Sequence, residues 1–303
     1  MPEISLPQRE AQDILAAAKA ALALPPENTG EIVHAFRVAM KRWRALLRLL
    51  EPIAGPDATQ LRREASSLAR QLGMSRDVQA ALDALNDCRA AAPDKAEIPS
   101  RSWGTMIHRI EALRAVHEAR AIDESTLHEL QAAIARAEDV ISGWPLAGFH
   151  HDKIASAIAR HYRRARKSMP GAWSADDPAA LHEFRKRVIV LRYQMSMLMP
   201  LWPKMWRAYI NDLQKLRTQL GQFNDLEILR HYTVAKQPLA RWSERIKPLI
   251  IARQAAHLRE AEIIARRVFA NDAKTIEAMI KAQSLAQPAP NVPDQADDAK
   301  ADR

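Results

Sequence analysis

The sequence predicts an all-α protein made of two copies of one helical unit, and three observations carry the prediction. Glycine is scarce, at 8 of 303 residues. Ala, Leu, Arg, Glu and Gln fill most windows at helical spacing, so intrinsic preference points to helix nearly everywhere and no segment reads as a strand. The chain also matches itself at a shift of 148 residues, without a gap across two blocks, the mark of a repeated structural unit. In the first block His34, Phe36, Arg37, Arg44, Leu50 and Pro52 fall on His182, Phe184, Arg185, Arg192, Leu198 and Pro200. In the second, Leu68, Leu72, Gly73 and Asp77 fall on Leu216, Leu220, Gly221 and Asp225. Ten identities on one diagonal, rare Gly, His and Pro among them, exceed what shared helical composition supplies.

Each copy divides into four or five helices, with Pro and Gly as stops. The first copy predicts helices over 5–24, 29–50, 57–73, 76–91 and 102–142, the last broken around Asp123 and Glu124. The second predicts them over 149–168, 178–199, 204–221, 224–236 and 240–283, with Pro248 kinking or restarting the last. The domains are therefore 1–148 and 149–284, each long enough to bury a core of its own. Residues 285–303 are rich in Pro, Ala and Asp without periodic apolar positions and read as a disordered acidic tail.

The net charge of +9 hides a division between the copies. Residues 1–148 hold 18 Lys and Arg against 20 Asp and Glu, whereas 149–284 hold 25 against 12. A surplus of that size directs attention to anionic partners. The single cysteine, Cys88, forms no intramolecular disulfide, and Glu3, Glu10 and Asp13 stand where a secretory leader needs a basic start and an apolar run. Both facts fit a reducing cytoplasm. Even the Ile-rich part of 246–264 is cut by Lys247, Pro248, Arg253, His257 and Arg259, so no membrane span is expected.

The charge is arranged in stripes. His34, Arg37, Lys41, Arg44 and Arg48 recur at spacings of 3, 4, 3 and 4, which confines them to an arc of about 80° on a helix. Phe36, Met40, Trp43, Leu47 and Leu50 fill a separate arc, so the core is served without the bases and Trp43 is expected to be buried. No acid lies between Glu31 and Glu51. Like charges at i and i+4 repel by a few tenths of a kcal/mol per pair, a cost that an external anion would offset. The stripe is about 21 Å long, enough for several phosphate units of an extended polymer, and arginine's planar fork suits phosphoryl oxygens. The second copy repeats the pattern through His182, Arg185 and Arg192, with Lys186 beside them and Ile189 in the place of the middle lysine. Arg160, Arg163, Arg164 and Lys167 add a basic face on the preceding helix, opposite Ile154, Ile158 and Tyr162.

Other residues admit two readings. His34 and His182 are either helix histidines or direct phosphate contacts. Gly73 and Gly221 read first as helix stops followed by Asp77 and Asp225 near the next cap, and alternatively these acids orient a stripe arginine. Trp144, Trp173, Trp202, Trp206 and Trp242 read as interhelix anchors. His150, His151 and His161 lack the accompanying carboxylate or thiol pattern of a metal site, and none is predicted.

At "HAFRVAMKRWRALLRLLEP" and "LHEFRKRVIVLRYQMSMLMP", and at "LGMSRD" and "LGQFND" after each, the sequence resembles the CHAD family, the conserved histidine α-helical domain, over roughly 5–280. The resemblance implies two helical bundles related by pseudo-twofold symmetry, a basic central groove between them, and binding of inorganic polyphosphate, often at polyphosphate granules in bacteria. It places the contacts on His34, Arg37, Lys41, Arg44, Arg48, His182, Arg185, Lys186 and Arg192, with Arg160, Arg163, Arg164 and Lys167 as further candidates. Two departures matter: the first helix is poor in bases and Ile189 interrupts the second stripe, so the groove is expected to be lopsided. The expected function is non-enzymatic polyphosphate binding without a cofactor, in the cytoplasm at granules, with weak nucleic-acid binding besides. The competing readings are an enzyme acting on polyphosphate or a nucleotide, which would draw on Asp77 and Asp225, and a nucleic-acid-binding protein, which the pI of about 9.8 permits.

Overall fold

The computed structural model describes residues 5–25, 28–72, 76–92, 98–118, 124–146 and 151–286, and the described residues are helical with no strand among them. The acidic tail lies outside them from residue 287 onward. Helix α1 (Leu6–Leu22) starts on Ser5, whose Oγ accepts from the Gln8 amide at 3.4 Å, and buries Ala11, Ile14, Leu15, Ala18 and Leu22 at helical spacing. Helix α2 (Thr29–Gln71) unites the two segments predicted over 29–50 and 57–73. They are arms of a hairpin bent between Pro52 and Pro56 at Gly55, whose φ of 57° and ψ of −133° favour glycine. Contacts between the arms run antiparallel: Arg37 reaches the Leu72 carbonyl at 3.2 Å and Arg44 reaches Ser66 Oγ at 3.4 Å. Trp43 is buried, as its place on the apolar arc requires.

Helices α3 (Arg76–Ala91), α4 (Ser100–Glu118) and α5 (Glu124–Ser142) complete the first copy. The second contains α6 (His151–Lys167), α7 (Pro178–Ser196), α8 (Pro203–Tyr232), a 3-10 turn at Ala240–Trp242, α9 (Ser243–Val268) and α10 (Ala273–Leu285). Asp177 caps α7 through the Ala180 amide at 3.0 Å and Asp272 caps α10 through Thr275 at 2.8 Å.

Two predicted boundaries are corrected. The break expected at Gly221 does not occur, because α8 runs through it with Leu220, Phe223 and Leu226 buried on its inner side. Pro248 does not restart the last helix either. It sits exposed near the start of α9, and the carbonyl it leaves without an amide partner belongs to the exposed residue Glu244. The real break falls after Val268, where Tyr162 and Arg166 of α6 and Tyr209 of α8 supply hydrogen bonds to the carbonyls of Val268, Phe269 and Asn271.

Packing crosses the sequence boundary between the copies. One buried cluster draws on α1, α2 and α5 together with α6 to α10, and a second joins α3 and α4 to α8, the 3-10 turn and α9. The expectation of a separate core in each copy gives way to shared ones, since the apolar faces of α2 and α3 are covered by α7 and α8. Where α2 crosses α7, the buried Gln194 donates to the Ala45 carbonyl at 2.8 Å. Among the described residues no helix is long and apolar enough to cross a membrane.

Candidate functional site

The first arm of α2, the start of α7 and the middle of α8 surround a cavity of about 500 Å³. His34, Arg37 and Lys41 line it from the first copy, with Gln79 and Asp83 of α3; Arg185, Arg217, Thr218, Gln222 and Asp225 line it from the second. Arg185 is only 8% exposed, and its guanidinium lies against Gly221. A Cβ there would stand 3.4 Å from Nη2 and 3.6 Å from Nε of the guanidinium. Gly221 is therefore a mid-helix contact of a buried arginine and not a helix stop.

The stripe on α2 continues past this cavity. Arg44 lies between the arms, and burial, then Arg48, Arg37 and Arg70, push its guanidinium below the usual arginine range. Arg48 opens onto a second cavity of about 440 Å³, walled also by Glu51 and Arg62 of α2, His161 and Arg164 of α6, and Glu183, Arg187 and Val190 of α7. Burial, followed by Arg62, lowers Arg48 too, while Glu183 and Glu51 oppose the shift. His161 faces the Arg48 carbonyl at 3.3 Å. A carbonyl only accepts, so Nε2 carries the proton, and burial holds the ring neutral by pushing its pKa to about 4.

The remaining predicted residues disperse. Arg163 and Lys167 face a third cavity of about 640 Å³ with Arg166, Phe269 and the start of α10. Arg160 is half-buried on α6 and contributes to the low pKa of its neighbour His161. His182 is exposed beside the first cavity. Burial, then Lys186 and Arg185, lower its pKa against a hydrogen bond with Asn224. Lys186 pairs with Glu183 at 3.7 Å, and Arg192 lies over the Tyr193 ring at 4.1 Å. Asp225 lines the first cavity, but its counterpart Asp77 faces a separate hollow with Ile228, His231, Tyr232 and Gln237.

Three cations escaped the sequence reading: Arg217, Arg62 and Arg187. Arg217, Gly221 and Asp225 recur every fourth residue and share one helix face, a signal that a helix end at Gly221 would hide. Arg62 comes opposite Arg48 only once α2 folds back at Gly55. Among the described residues no three His, Cys, Asp or Glu side chains converge as a metal site would require.

Fold and site together define an all-helical protein that turns cationic side chains from distant parts of its sequence onto shared cavities. The chain belongs to the CHAD domain family, whose family model matches residues 9–234 and so ends before α9 and α10. Among solved structures it is similar to PptA from Streptomyces chartreusis, at 16% identity over 86% of this chain and 95% of that one, with a TM-score of 0.54. That likeness is one of fold. A comparison with curated proteins finds no match.

Proposed function

We propose that the chain binds inorganic polyphosphate without chemically altering it, and that this binding attaches it to polyphosphate granules. One observation carries the reading: His34, Arg37 and Lys41 share a cavity with Arg185 and Arg217, which stand far away in sequence. Four cations against two acids, Asp83 and Asp225, leave the wall with a surplus of positive charge that an anion in the space would offset. Arginine supplies paired donors to phosphoryl oxygens and lysine a compact charge. Membership of a family associated with polyphosphate supports the same partner.

The test is charge reversal on the cavity wall. Lys41→Glu with Arg217→Glu leaves the buried Arg185 in place and should reduce affinity for long-chain polyphosphate by at least about 100-fold, on the order of 3 kcal/mol. Wild-type binding should weaken steeply with added salt as counterions are released. A correctly folded double variant with undiminished affinity would sink the assignment.

A second reading has Asp83 and Asp225 on the same wall as its support, because phosphoryl transfer draws on carboxylates that hold metal ions beside the phosphate. Turnover of polyphosphate with Mg²⁺ or Mn²⁺ would replace the binding reading with an enzymatic one. Displacement of polyphosphate by single-stranded RNA at equal phosphate concentration would instead favour a nucleic-acid partner.

A further inference from the structure

The second cavity collects Arg48, Arg62, Arg164 and Arg187 against two acids, Glu51 and Glu183. Both acids are engaged already. Glu183 takes Arg187 at 3.1 Å and Lys186 at 3.7 Å, and Glu51 accepts from Thr59 at 2.9 Å with Arg62 at 3.8 Å. The Nε atoms of Arg48 and Arg62 are buried and have no hydrogen-bond partner among the described residues. Those two atoms are closed off from solvent, but the four guanidinium groups around a hollow of about 440 Å³, set against two carboxylates that already have partners, mark a place for an acceptor-rich guest. His161 adds no competing charge, since its ring stays neutral.

Position matters as much as composition. Lys41 lines the first cavity and Arg48 the second, two turns apart on one helix, or about 10 Å along its axis. Arg44 lies between them on the same stripe. A linear polymer leaving the first cavity along α2 meets the second, and one chain held at two places gains from effective concentration without any new contact.

We propose that this cavity is a second phosphoryl site, and that occupancy of both sites by one chain makes the protein prefer long polyphosphate to short. The inference rests on the reading of the first cavity given above. Pyrophosphate, too short to bridge, then binds independently at each site.

Calorimetric titration separates these claims. Wild-type protein should take two pyrophosphates per chain, and Arg48→Gln with Arg62→Gln should take one. The same variant should lose at least about tenfold in affinity for long-chain polyphosphate while its remaining pyrophosphate site keeps wild-type affinity. Arg187→Gln, a change at a half-exposed side chain, should shift long-chain binding in the same direction and guards against misfolding of the double variant. One pyrophosphate per wild-type chain, or equal long-chain affinity in wild type and folded variants, overturns the second site. Wild type that binds neither ligand overturns the proposed function itself.

Discussion

Arg37 and Arg185 occupy the same place in the repeat, yet the backbone gives them different employment. In the first copy α2 stops at Gln71, and Arg37 donates to the Leu72 carbonyl that the helix end leaves free. In the second copy α8 continues through the equivalent positions, its carbonyls stay within the helix, and Arg185 packs its guanidinium onto Gly221. Gly73 of "LGMSRD" lies outside the described residues, but α2 has ended at its Leu72, whereas α8 continues through Leu220 of "LGQFND". Phe223 is one cause, since it is buried in the shared core and holds the second segment helical. The position of Leu72 therefore falls at a helix end in one half, while its counterpart Leu220 lies inside a helix beside the seat of a buried cation in the other.

The largest effect should come from filling that seat. Gly221→Leu drives side-chain atoms into the guanidinium of Arg185, and overpacking of this kind costs about 1–3 kcal/mol. A drop in urea midpoint together with weaker polyphosphate binding is expected. If neither moves, Arg185 is not held where the comparison places it. The next effect lies where the copies touch, at His161 against the Arg48 carbonyl. Its folded pKa, about 4, is below the ordinary histidine value. The unfolded chain therefore binds more protons between about pH 6.5 and 4, so stability is full above that window and falls as pH drops through it. The loss should be on the order of 2 kcal/mol, and denaturant unfolding of wild type and His161→Asn at pH 7 and pH 4.5 measures it as the difference in slope.

Sequence periodicity reveals which residues share a face but not which faces meet. The stripe from His34 to Arg48 and the buried arc with Trp43 were legible because both follow from spacing within one helix. Arg163 and Lys167 belong to the basic face of α6, and α10 packs on α6 so that they line a cavity with its start, a meeting of faces that no property of α6 discloses. Pro248 and Gly221 misled for a related reason. Local preference marks both as stops, and burial of neighbouring apolar residues in shared cores overrides it. The true break before Asp272 depends on hydroxyls from α6 and α8 that are more than 50 residues away.

Smaller substitutions sharpen the contrast between the two arginines. Arg37 donates to the Leu72 carbonyl at a helix end, a contact a lysine can also make, so Arg37→Lys should leave stability within about 0.5 kcal/mol of wild type. Arg185→Lys replaces a weakly hydrated planar group with a compact, strongly hydrated ammonium at a buried position, and should cost about 1 kcal/mol or more. Gly221→Ala provides the complementary measurement. Its methyl would meet Nη2 of Arg185 at ordinary contact distance, 3.4 Å. The arginine can therefore stay, and the gain of alanine over glycine inside a helix, about 0.5–1 kcal/mol, should appear as a raised Tm. Destabilisation by that single methyl would mean that the guanidinium presses more tightly on the helix than the spacing shows, and that glycine is required there.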